Sequence, residues 1–240
     1  MNNKENADIQ EKYKEFIPQK RFTELVRLMN RSQVPPAEYI VRMGYKSYLE
    51  EPQGKKVKLF FIMKLKEITH IPPTKDILKT ACAISLEADT PEVLESLIRR
   101  LEIDKSIIKE LESLLQKTYI QYVAEGKFVD ISKLIEVTGI PPQEEIIHKG
   151  YRSYLEESKF ISFSGLLKRT GIQPDEKMVE EIYLHYHGQY MLALNKRDEA
   201  TAKFWLDRFK KMQRVTKIPP KNPAFTELLN EDNATSSEET

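Results

Sequence analysis

The chain has 240 residues, with 38 Lys+Arg against 37 Asp+Glu, 40% hydrophobic and 31% charged residues, 13 prolines, 8 glycines and one cysteine. So balanced a charge and so large an apolar fraction exclude a wholly disordered chain, and one cysteine excludes a disulfide scaffold or a cysteine-based zinc site. No apolar run approaches the roughly 18 residues that a bilayer-crossing helix needs.

The opening MNNKENADIQ has no apolar signal core and carries Glu5 and Asp8, acids that transit peptides avoid. An intracellular, cytoplasmic protein with no membrane partner is expected. Residues 1–7 are polar and read as a disordered N-terminus. From 8 to 229 the chain repeats itself, and this span reads as a single domain. Tyr119 and Tyr122 match Tyr151 and Tyr154, Lys127-Phe128 matches Lys159-Phe160, and Thr138-Gly139-Ile140 matches Thr170-Gly171-Ile172, always 32 residues apart. The leading column of the template reads Tyr13, Tyr45, Cys82, Tyr119, Tyr151, Tyr183, in steps of 32 or 37. A hydroxyl closes most units, at Ser32, Thr69, Thr138, Thr170 and Thr216, followed by Val or Ile and a proline. The unit near 74–109 is the poorest match.

Each unit reads as two helices. The first is expected to start at the proline, which loses no hydrogen bond at the first helical position, and acids follow it in PPQEE and QPDEK, where they suit the helix dipole. Its apolar stripe, for example Ile146, Ile147, Gly150, Tyr151, Tyr154 and Leu155, has helical spacing. One column of it stays small (Gly44, Ala81, Thr118, Gly150), which lets a neighbouring helix approach closely. The second helix is shorter, with the stripe Phe160, Phe163, Leu166, Leu167, and closes in Thr-Gly-Ile in two copies, where glycine can take the left-handed conformation. The one strand-like run, VKLFFIMKL, aligns with a second helix and is read as helical.

Such units cannot bury their apolar faces alone, and stacking does it. The expected fold is all-α, a right-handed α-solenoid of about six helix-turn-helix repeats of 32–37 residues. The extra residues of the long units are expected in loops at Pro52–Lys56, near Ala88–Pro91 and around Gly188–Arg197. Residues 230–240, NEDNATSSEET, read as a disordered acidic tail.

The pattern Tyr-x-x-Tyr, Gly126-Lys127-Phe128, Thr-Gly-Ile-x-Pro resembles helical-hairpin repeats of the tetratricopeptide and pentatricopeptide type. Gly126 and Phe128 sit where tetratricopeptide repeats place a glycine and an aromatic, and Gly171-Ile172-Gln173-Pro174-Asp175 resembles the close of a pentatricopeptide unit. The resemblance implies a binding scaffold.

Chemistry-bearing motifs are sparse. Glu145 and His148 have the E-x-x-H spacing, but di-iron bundles need two such motifs and two further carboxylates. Cys82 stands in a core column, and no Gly-rich phosphate loop or nucleophile elbow is present. Neither a catalytic group, a metal nor a cofactor is expected, and an enzyme or metal-binding helical protein is the last of three readings. The first is a non-catalytic scaffold that docks a protein or peptide. The second is binding of single-stranded RNA, for which the tyrosine columns would stack bases. Self-association through a solenoid end is a further option. Outward columns on the first helices supply Arg42, Lys46, Lys117, Lys149 and Arg152 as partner-binding candidates. The segment 196–221 holds nine Lys/Arg against three acids, beside the only Trp, Trp205, and adds Arg208, Lys210, Lys211 and Arg214. The columns mix charge and apolarity, which suits a peptide better than a phosphate track.

Overall fold

In a computed structural model, which describes residues 3–88, 90–223 and 225, the protein is all-helical, with no strand among the described residues. Six hairpins follow in chain order: α1 (Asn3–Phe16) with α2 (Phe22–Ser32), α3 (Glu38–Glu50) with α4 (Lys55–Thr69), α5 (Lys75–Glu87) with α6 (Pro91–Leu101), α8 (Glu112–Glu125) with α9 (Phe128–Thr138), α10 (Glu144–Glu156) with α11 (Phe160–Thr170), and α12 (Glu176–Asn195) with α13 (Glu199–Thr216). A short α7 (Lys105–Lys109) separates the third from the fourth. The solenoid-like logic is visible in the neighbours. First helices pack on first helices (α3 on α5, α10 on α12) and second on second (α2 on α4, α4 on α6, α11 on α13).

The expected single domain divides into two compact units. The first comprises Met1–Thr118 with Lys133–Pro141, and the second Tyr119–Ser132 with Pro142–Thr240. The fourth hairpin is shared, its base going to the first unit and its turn to the second.

The leading tyrosine column closes the first, second, fifth and sixth hairpins. Tyr45, Tyr151 and Tyr183 are fully buried, and their hydroxyls donate to the carbonyls of Ile71 (2.6 Å), Ile172 (2.7 Å) and Ile218 (2.8 Å), just past the end of the second helix. Tyr13 does the same to Val34. The hydroxyl column braces that corner. Thr69, Thr138, Thr170 and Thr216 donate back to the carbonyl four residues earlier, and their oxygens accept the amide two residues later. This bond competes with continuation of the helix, and a left-handed residue follows in every hairpin: Gln33, His70, Glu102, Gly139, Gly171 or Lys217. The second tyrosine ties one hairpin to the one before. Tyr48, Tyr154 and Tyr186 donate to the carbonyls of Ile17, Val123 and Leu155.

The small column has the expected role. A Cβ on Gly44 would lie 2.2 Å from Ile17 Cγ2 and 3.1 Å from Leu65 Cδ2, and one on Gly150 would lie 2.4 Å from Val123 Cγ1 and 3.1 Å from Leu166 Cδ2. These are equivalent contacts in two repeats, one in each unit.

Several sequence expectations are corrected. Residues 3–7 belong to α1, whose first turn holds Glu5 at the positive end of the dipole; residues 1 and 2, and the tail 230–240, lie outside the described residues. The prolines do not open the first helices. Pro36, Pro73, Pro142 and Pro174 are buried two residues before α3, α5, α10 and α12, so they pack the corner between hairpins. The extra residues mostly form helix. In the second hairpin α4 has 15 residues against 11 in α11. In the sixth, 188–195 continue α12. In the third, the extra residues sit in α7 and not near Ala88–Pro91, because α6 already ends at Leu101, with Glu102 as the ordinary left-handed cap.

Candidate docking surface on the first helices

The first helices carry the exposed columns, and the large apolar side chains in them, besides Leu184 of α12, include Met43 (61% exposed), Tyr39 (53%) and Ile120 (54%). Each of these three flanks a groove. In the first unit, Tyr39, Met43, Lys46 and Leu49 of α3 face Ile77 and Thr80 of α5 across a groove of about 680 Å3. In the second unit, Ile120 and Ala124 of α8 face Ile146, Lys149, Ser153 and Tyr154 of α10 across one of about 400 Å3. The grooves run along outward positions of the first helices. A third depression, of about 470 Å3 between α10 and α12, is charged: Glu144, Glu145, Lys149, Arg152, Lys177 and Glu181 surround it.

The predicted cations divide between the units, three in the first and six in the second. Arg42 lies on the groove of the first unit and pairs with Glu38; Lys46 reaches Glu50 only at 3.9 Å. Lys117 is exposed on α8. Lys149 pairs with Glu145 at 2.8 Å, and Arg152 with Glu181 at 2.7 Å. The Lys149 ammonium holds the Glu145 carboxyl below its usual range. On α13, Lys211 pairs with Asp207 at 2.7 Å, and Lys211 and Arg214 are exposed. Arg208 is half-buried. Its guanidinium lies 4.0 Å from the Phe204 ring centre and 5.8 Å from that of Trp205, and its Nε is buried without a hydrogen-bond partner. The basic segment is therefore the second helix of its hairpin, with one inward-leaning arginine.

One column read as outward is occupied. The Gln116 amide donates to the Pro141 carbonyl at 3.1 Å, His148 Nε2 lies 3.1 Å from the Gln173 carbonyl oxygen, and Glu180 accepts the Lys221 amide at 3.0 Å. Gln10 bridges the Pro35 carbonyl (2.9 Å) and the Ala37 amide (2.7 Å) in the first hairpin. These residues splice one hairpin to the loop that follows it. Each stands three residues before a leading tyrosine, but so does Arg42, which pairs within its own helix, so the position alone does not mark them.

His148 and Glu145 are thus engaged separately, and among the described residues no group of three His, Cys, Asp or Glu is placed to hold a metal ion. Cys82 is buried, and desolvation pushes its thiol up to about 12, opposite to the direction a nucleophile needs. The tyrosines that might have stacked bases are in the core. No described helix is long and apolar enough to cross a membrane. Comparison with protein-family models, with curated proteins and with solved structures finds no match to this chain.

Proposed function

We propose that the protein is a non-catalytic scaffold that docks an extended or helical peptide of a protein partner, apolar side chains downward, on the first helices. One observation carries this reading: Tyr39, Met43 and Ile120 stand exposed beside grooves whose neighbouring cations, Arg42 and Lys149, are already paired to acids of their own helix. Each such pair offers a partner little net charge, which disfavours a phosphate track, because nucleic-acid affinity needs unpaired cations along the whole path. Apolar burial is what these grooves can supply. The finer likeness to tetratricopeptide scaffolds belongs to the same proposal, since those too bind along their first helices. An intracellular setting agrees with the single, unpaired, buried Cys82.

A random-peptide display selection on the whole chain tests the reading. Selected peptides should be rich in Leu, Ile, Phe or Met, and their binding should fall at least tenfold with Met43→Asp in the first unit or Ile120→Asp in the second. Binding of a random single-stranded RNA pool tested at about 50 and 200 mM salt, if submicromolar and steeply salt-dependent, would overturn it.

A further inference from the structure

The apolar grooves of the two units are one groove of the repeat, built with a single difference. Lys46, Leu49 and Glu50 of α3 hold the repeat positions of Ile120, Val123 and Ala124 of α8, and Ile77 and Thr80 of α5 hold those of Ile146 and Lys149 of α10. In the second unit a hydrogen bond joins the two walls. Tyr154, which lines the groove, donates its hydroxyl to the Val123 carbonyl on the opposite helix. In the first unit Ser85 stands at this position of α5, and its buried Oγ has no hydrogen-bond partner. The carbonyl that corresponds to that of Val123, at Leu49, accepts the Lys58 ammonium at 2.8 Å instead. Among the described residues no hydrogen bond or ion pair joins α3 to α5.

What holds α5 is unevenly placed. Ahead of it, the Tyr45 hydroxyl donates to the Ile71 carbonyl at 2.6 Å, and buried Pro73 packs the corner. Along it, Leu78, Ala81, Cys82 and Leu86 are buried. Its remaining ties are ion pairs between exposed side chains: Glu87 with Lys55 of α4 at 3.1 Å, and Lys75 and Lys79 with Glu110 at 2.6 and 3.3 Å. Such pairs are weak and are screened by salt. The unpaired Ser85 hydroxyl also disfavours the closed state, because water satisfies it once the helix moves.

We propose that the α3–α5 groove is adaptable and the α8–α10 groove preformed, a difference set by Ser85 and Tyr154 that rests on the peptide-docking reading above. α5 pivots at the Ile71–Pro73 corner and its Ser85 end swings from α3, so the groove widens around a bulky side chain. No hydrogen bond between its walls is broken in doing so. Opening the second groove would strand the Val123 carbonyl, which Tyr154 satisfies. Met43, exposed at the rim of the first groove and unbranched, refits to what enters. The first groove therefore accepts anchors of different sizes, and the second, at about 400 Å3 with its walls tied, discriminates among them.

Methyl relaxation dispersion on the full chain, labelled at isoleucine δ1, reads the opening at Ile77 and Ile146, which stand at the same position of the two grooves. Ile77 should show microsecond-to-millisecond exchange, with Ile146 flat. Ser85→Ala removes the unpaired hydroxyl and should lower the open population at Ile77 by about threefold or more. Tyr154→Phe removes the tie and should bring exchange to Ile146, leaving Ile77 as it was. Among display-selected peptides, those lost with Met43→Asp should tolerate Leu, Phe or Trp as anchor within about threefold, and those lost with Ile120→Asp should fall about tenfold across the same change. A flat Ile77, an exchanging Ile146 in the wild type, exchange indifferent to both substitutions, or the reverse selectivity of the two grooves overturns the inference even where peptides bind. An empty peptide selection beside the expected exchange overturns the docking reading and leaves the opening of α5 standing.

Discussion

Gly150 and Gly188 are both helical glycines of the second unit, and an alanine at each separates two opposing effects. Glycine in a helix interior is about 1 kcal/mol less favourable than alanine. At Gly188 an added Cβ meets nothing within 4 Å, so Gly188→Ala should stabilise by about 1 kcal/mol. At Gly150 the same gain is opposed by contacts of 2.4 Å to Val123 Cγ1 and 3.1 Å to Leu166 Cδ2, both side chains being buried. Overpacking of this kind costs about 1–3 kcal/mol. Gly150→Ala should therefore fall about 1–3 kcal/mol below Gly188→Ala, and in most of that range below the wild type. Urea unfolding followed by circular dichroism reads both, with the slope checked for a change in cooperativity. Adding Val123→Ala removes the obstructing methyl, and the double variant should be less destabilised than the two single effects added together. A Gly150→Ala protein as stable as Gly188→Ala would refute the idea that the small column sets how closely first helices approach.

Burial raises the hydroxyl pKa of Tyr45, Tyr48, Tyr151, Tyr154 and Tyr186 above the ordinary 10, and that of Tyr183 to about 12. A raised folded-state value means that their contribution is fully present below pH 10 and is lost as pH climbs through the folded values, because only the unfolded chain ionises freely. Tyrosinate absorbance should therefore rise together with loss of helix above pH 10, not ahead of it. On α13, Lys211→Glu and Arg214→Glu should each change stability by less than about 0.5 kcal/mol, whereas Arg208→Glu should cost about 1–2 kcal/mol, because the half-buried guanidinium over Phe204 is lost and a carboxylate takes its place. A thermal melt of the three variants checks the ordering. The Cys82 thiol should resist an aromatic disulfide reagent at neutral pH in the native chain and react at once in denaturant, given its burial and raised pKa.

Much of the fold was legible because the repeat is written in side chains with one job each. Tyrosine at a core spacing predicts burial, a threonine before a glycine predicts a helix end, and a glycine between tyrosines predicts close approach. What escaped depended on partners far along the chain. Nothing local distinguishes Gln116 or His148, which bond the next loop, from Lys149, which faces solvent. The third hairpin was hard to align for a physical reason. It has Cys82 and Ser85 where four of the other hairpins have two tyrosines, so it lacks both hydroxyl ties, and Ser85 Oγ is buried with no hydrogen-bond partner. In the basic segment, composition counts Arg208 with Lys211, while only geometry shows that one leans inward.

The long repeats obey a rule that composition does not show. The tyrosine tie closes hairpins of different length: Tyr151 reaches 21 residues ahead, Tyr45 26 and Tyr183 35. Length can therefore be added at the turn end without disturbing the corner, provided the apolar stripe stays in phase. At 3.6 residues per turn, the four extra residues of α4 are about one turn, and the seven in each of α12 and α13 are about two. The unilateral gain in α4 needs a longer turn to return, and residues 51–54 supply four where 157–159 supply three. The matched gain in α12 and α13 needs none, and their turn keeps three residues, 196–198. An insertion that preserves stripe, corner and turn while projecting two turns of apolar helix is not the product of a slack loop. It adds two turns of paired helix while Tyr183 still closes the corner on the Ile218 carbonyl at 2.8 Å, as Tyr151 closes its own on Ile172 at 2.7 Å.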